Sequence, residues 1–123
     1  MSLFDEQISQ LLENKLEYQD NNLIAQLSFD KNFVGFKGHF PDRAVLPGVV
    51  MIKVMTRMYE MHHHKQTLLI QIKKAKFIEP IFEDTLSSFF IKSQETDAGI
   101  NLLGKVVKSD KIIAKVSLIL QDV

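Results

Sequence analysis

Between Pro47 and about His64 the chain carries a run that is apolar on almost every side: Val49, Val50, Met51, Ile52, Val54, Met55, Met58, Tyr59 and Met61. Proline suits a first helical turn, where its missing N–H would find no partner anyway, so a helix opening at Pro47 is expected. Its polar positions up to residue 60 are Lys53, Thr56, Arg57 and Glu60. They fall at i, i+3, i+4 and i+7, one narrow stripe. Such a helix cannot lie bare on a surface. A sheet, a partner subunit or both must wrap it, and that demand limits the fold more than any other feature of the chain.

The flanking sequence supplies a sheet. Residues 3–15 read as an amphipathic helix, with Leu3, Phe4, Ile8, Leu11 and Leu12 at helical spacing. An extended stretch follows from about Leu16 to Phe29, broken by the turn signal Asp20-Asn21-Asn22. After the apolar helix come four strand-like segments, at about 67–78, 85–95, 99–108 and 111–121, separated by Glu79-Pro80, Asp97-Ala98-Gly99 and Lys108-Ser109-Asp110. Strands joined by short turns predict an antiparallel sheet. The economical arrangement is one α+β domain over residues 1–123, a sheet curled around one buried helix.

Composition narrows the function classes. Acidic and basic residues number 15 each and the formal net charge is zero, so no strong field for nucleic acid or membrane is indicated. Cysteine is absent, which excludes a disulfide framework, a Cys-based zinc site and a thiol nucleophile. No apolar run approaches the ~20 residues of a membrane span. The acidic start Met1-Ser2-Leu3-Phe4-Asp5-Glu6 does not read as a signal peptide. A cytoplasmic protein is expected.

Residues 30–48 hold three of the five glycines and two of the three prolines, and read as a structured loop of the kind that carries function. Within it stands Gly38-His39-Phe40-Pro41-Asp42-Arg43-Ala44-Val45-Leu46-Pro47-Gly48-Val49-Val50. This segment is similar to the GHFPxxPxxPGV motif of the 3-hydroxyacyl-[acyl carrier protein] dehydratases of FabZ/FabA type. Downstream, Lys74-Ala75-Lys76-Phe77-Ile78-Glu79-Pro80-Ile81-Phe82-Glu83-Asp84-Thr85 resembles that family's KxxFxxPVxPGD strand and turn. The resemblance covers roughly residues 20 to 121. It implies a hotdog fold, an antiparallel sheet around a long central helix. It further implies a homodimer or multiple of dimers, with active sites at the subunit interface and an acyl thioester on acyl carrier protein as substrate. It implies no cofactor and no metal.

Dehydration of a 3-hydroxyacyl thioester needs a base for the C2 proton and an acid for the departing hydroxyl. By resemblance His39 is the base, a task that suits neutral imidazole. Phe40, Gly48 and Val49 are placed on the substrate. The N–H groups of Gly48 and Val49, at the helix N-terminus, face the thioester carbonyl, and glycine at 48 allows close approach of a ligand. The family's second catalytic residue is a helical Glu or Asp, and the matching position here is Lys53. Ala44 replaces the middle proline. Three readings of Lys53 stand open. As an ammonium it is itself the acid. Alternatively the chain is a catalytically impaired subunit that binds acyl chains or a carrier protein. Or it handles another thioester reaction, such as hydrolysis. Glu60 shares the face of Lys53 but lies ~10 Å further along the axis.

Other motifs have plainer readings. His62-His63-His64 cannot all chelate one ion from a regular helix, and reads as a solvated helix end. Phe36, Phe40, Met51 and Met55 read as core or as tunnel lining. Lys73, Lys74 and Lys76, with Arg43, form the best basic surface, suited either to an acidic carrier protein or to an ordinary strand edge.

Overall fold

A computed structural model describes residues 2–33, 36 and 45–123. Helix α1 runs Leu3–Leu12, with Ser2 as its N-cap and Asp5 and Glu6 in its first turn. The Ser2 hydroxyl accepts from the Asp5 N–H (3.1 Å), satisfying one of the donors that a helix start leaves without partners. The helix stops short of the expected residue 15 because Asn14 takes a left-handed backbone, φ 62°.

Strands β1 (Glu17–Gln19) and β2 (Asn22–Leu27) form a hairpin. Its turn residues Asp20 and Asn21 both have positive φ, 52° and 64°. That conformation matches the twist of a two-residue hairpin, and Asp and Asn tolerate it. Strand β3 is Val45–Leu46 and helix α2 is Gly48–His63. There follow β4 (Thr67–Phe77), β5 (Ile81–Phe82), β6 (Ser87–Thr96), β7 (Gly99–Lys108) and β8 (Lys111–Asp122). Six strands make one antiparallel sheet in the order β1-β2-β6-β7-β8-β4, and β3 pairs with β5 in a separate two-stranded piece. The four late strands fall within about two residues of their expected bounds. The small β3–β5 pair was not legible.

Pro47 stands one position earlier than expected. It is the N-cap of α2, with extended ψ of 150°, and its carbonyl accepts from Val50 and Met51 (3.0 and 3.3 Å). At the other end His64 closes the helix in a left-handed conformation, φ 54°, a common way to stop a helix.

The sheet curls around α2. Val54, Met55, Met58 and Tyr59 are buried against Leu102, Val106, Ala114, Val116 and Leu118. Gly104 makes the closest approach possible: a Cβ there would run into the Met55 thioether. Ile8 and Leu12 of α1 close the same core. At one edge of the sheet β4 stays open. Leu68, Leu69, Ile70, Ile72 and Phe77 are each exposed by 43% or more.

Candidate functional site

The polar stripe of α2 faces a cleft of about 500 Å³ lined by Asp5, Val49, Lys53, Arg57, Glu60 and the start of β4 at Leu68 and Leu69. Each charged group on the stripe has a defined partner. The Lys53 ammonium lies 3.0 Å from the Asp5 carboxylate, which reaches across from the first turn of α1. The same ammonium lies 5.8 Å from the centre of the Phe4 ring. Lys53 is half exposed, at 49% of its side chain. Burial works to raise the Asp5 carboxyl, but the bonds from Lys53 and Ser2 outweigh it and hold the group below the ordinary carboxylate range.

One turn on, Arg57 Nε donates to Ser9 Oγ (2.8 Å) and its other arm meets Glu60 Oε1 (3.4 Å). The second Glu60 oxygen accepts from the Thr67 N–H (2.7 Å) and from the Thr67 hydroxyl (3.1 Å). Glu60 therefore ties α2 to the start of β4. Sequence reading missed Asp5. The signal available was a carboxylate at N3 of a helix whose apolar face must pack on α2, but nothing in the spacing pointed it at Lys53.

At the N-terminus of α2 the Gly48 and Val49 N–H groups belong to the first turn, which has no intrahelical acceptors for them. Val49 is 69% exposed. The space beside Gly48 is taken: a Cβ would lie 2.6 Å from the Phe77 ring of β4. The glycine admits the Phe77 ring. Phe77 is itself 43% exposed. His39, Phe40 and Arg43, together with Asp42, lie outside the described residues.

The histidine run is exposed at the end of α2. His62 stacks on Tyr18 with ring centres 5.7 Å apart, and His63 lies 4.2 Å from the Tyr59 ring. Burial, followed by the neighbouring His62, pushes the His63 pKa down. The described residues hold no cluster of three or more metal-ligating side chains. None of their helices is long and apolar enough to cross a membrane.

With this geometry in view, the comparisons with known proteins are decisive at the level of family. The model of the ApeI-like dehydratases matches residues 14–101. The chain belongs to that dehydratase family. A FabZ 3-hydroxyacyl-[acyl-carrier-protein] dehydratase from Solibacter usitatus is 23% identical over 111 residues, covering 84% of this chain and 68% of that protein. One from Xylella fastidiosa is 30% identical over 80 residues, covering 57% of this chain and 49% of that protein. The chain thus spans about two thirds of one curated relative and half of the other. Among solved structures, the dehydratase heterocomplex ApeI:P from Xenorhabdus doucetiae superposes with a TM-score of 0.69 at 20% identity, over 84% of this chain and 89% of that one. The fold is the hotdog fold, a six-stranded antiparallel sheet packed on a 16-residue helix.

Proposed function

We propose that this dehydratase-family chain removes water from 3-hydroxyacyl thioesters carried on acyl carrier protein, in fatty acid or polyketide-type biosynthesis in the cytoplasm. The observation that carries the reading is the position of Lys53. It lies five residues after the N-terminal Gly48 of α2, on the cleft side, at the position that the resemblance assigns to the acid.

In this reading the His39 imidazole takes the C2 proton. The enolate-like oxygen accepts from the Gly48 and Val49 N–H groups, and the helix dipole favours the charge that develops there. As the C3–O bond breaks, the Lys53 ammonium passes a proton to the departing hydroxyl, which leaves as water. The C2 proton on His39 then returns the lysine to its charged form through solvent. Asp5 holds the ammonium in the cleft between turnovers. Phe40 packs on the acyl chain.

The site is completed by a second copy of the chain. Strand β4 is an edge strand with a row of exposed apolar side chains, which soluble proteins ordinarily keep covered. Pairing of β4 with its equivalent would continue the sheet and roof the cleft at Leu68 and Leu69. A mass of twice 14.1 kDa in solution is expected.

Hydration of a crotonyl thioester, the reverse reaction, tests the chemistry. Wild-type turnover that falls at least ~100-fold in His39→Ala supports it, since a positioned general base contributes about that much. Lack of turnover in wild type, with its appearance in Lys53→Glu, would show instead a scaffold that has lost its acid and serves as a binding subunit.

A further inference from the structure

The face of the sheet turned away from α2 carries five lysines with no acid among them. Register puts them side by side. Lys115 of β8 is opposite Lys105 of β7 on one side and Lys76 of β4 on the other. Lys74 is opposite Ser117, which is opposite Leu103, which is opposite Lys92 of β6. Lys92, Lys105 and Lys115 stand next to buried positions such as Ile91, Val106 and Val116, and register sets Lys74 and Lys76 on the same side as Ser117 and Lys115, so all five share the outer face. None of them has an ion pair among the described residues, whereas Lys53, Lys65, Lys108 and Lys111 all do. On this face the ladder places Glu17, far off on the opposite edge strand β1.

Such clustering is not a by-product of a basic chain, since the formal net charge is zero. Like charges directly across a sheet are destabilising, so the fold carries this arrangement at a cost. In the midst of the lysines is a shallow hollow of about 350 Å³, lined by Phe90, Leu103, Gly104 and Val116 as well as four of the ammonium-bearing side chains. Leu103 is 57% exposed, and the Lys105 ammonium rests 4.9 Å from the Phe90 ring centre.

We infer that this outer face docks the chain on an anionic lipid surface. Charge complementarity names a polyanion, and three features choose among polyanions. The surface is a sheet face, not a groove shaped for a nucleic-acid strand. Its cations are all lysines, compact charges on flexible stems without the fork that fixes a carboxylate partner, and lysine is depleted at protein–protein interfaces. A fluid layer of phosphate headgroups asks for no fixed geometry and gains from each nearby lysine. Leu103 at the centre supplies an apolar group to reach between headgroups.

Vesicle co-sedimentation of the full chain tests this. Vesicles with about one third phosphatidylglycerol should bind the wild-type chain roughly tenfold or more tightly than pure phosphatidylcholine vesicles, and ~1 M salt should abolish the difference. Lys105→Gln/Lys115→Gln should lose most of that preference while melting no lower than wild type, because it relieves repulsion. Lys15→Gln/Lys31→Gln, which removes the same charge elsewhere, should keep it. Equal partition to the two vesicle types overturns the inference, as does an equal loss in both double variants. Binding to poly-L-glutamate without binding to the anionic vesicles would assign the face to an acidic protein and overturn it as well.

Discussion

Helix α2 meets the sheet with Val54, Met55 and Met58, all fully buried, and meets the cleft with Val49, Lys53, Arg57 and Glu60. On the sheet side the contacts are dispersion and exclusion of water, and they are as close as atoms allow, down to a glycine on β7 that leaves space for one thioether. On the cleft side the contacts are ion pairs and hydrogen bonds reaching α1 and β4. Sixteen residues thus do two jobs. The buried side anchors the helix, so the open side is free to carry groups whose energetic contribution to folding is small. That separation is what lets a lysine stand on the cleft side without loss of the fold.

The separation is broken most directly from the buried side. Met55→Ala should destabilise the chain by about 3 kcal/mol, the usual range for a long buried side chain cut back to alanine in a tight core. Gly104→Ala should cost about 1–3 kcal/mol by overpacking against the same thioether. The two together should cost less than their sum, because the truncated Met55 makes space for the new methyl. Denaturant melts of the four proteins read this coupling. Additive losses would mean that the sheet and helix yield independently at this contact.

On the cleft side the strongest structural effect is expected at Glu60, the one stripe residue whose carboxylate serves two elements. Glu60→Leu leaves the Thr67 N–H without its acceptor and the Arg57 guanidinium with Ser9 alone among the described residues, a loss of about 2 kcal/mol. Hydrogen exchange at Thr67 should quicken with it, since that N–H opens β4. A change of Tm no larger than that of an ordinary surface substitution would place Glu60 among the dispensable charges.

The same two sides explain what the sequence disclosed. Alternation and turn residues placed β6, β7 and β8, and residues 49–61, apolar on all but one narrow stripe, required a wrapping sheet. These are local signals, repeated every two or every three to four residues. The Lys53–Asp5 pair was not legible, because it joins groups 48 positions apart and depends on the angle at which α1 crosses α2. The packing at Gly48 was not legible for a similar reason: Phe77, whose ring lies where a Cβ would stand, belongs to a strand 29 positions away. The lysine platform was half visible. Lys74 and Lys76 stood out as a run, but Lys92, Lys105 and Lys115 join them only through strand register. The segment around His39 pointed to the family through its resemblance to a known motif, and residues 38–44 of it lie outside those described.

The smallest effect on stability, and the most informative about the site, belongs to the Lys53–Asp5 pair. Its members are 49% and 28% exposed, and pairs so open to solvent contribute under ~1 kcal/mol. Lys53→Met should therefore leave the Tm almost unchanged at neutral pH. Its signature lies in acid. The folded chain holds Asp5 below its ordinary range, so the unfolded chain takes up the proton first as pH falls. The stability from this carboxylate is fully present above the ordinary carboxylate range and is lost as pH drops through the depressed folded value. Asp5→Asn should remove that part of the acid sensitivity, and Lys53→Met should remove much of it too, because the Lys53 hydrogen bond is the largest of the contributions that lower the carboxyl and its charge adds to it. Melting curves taken from neutral to acid pH for wild type and both variants decide the matter. If the variants lose stability in parallel with wild type all the way down, the pair does not form in solution, and Lys53 is free to turn toward substrate without first leaving a partner.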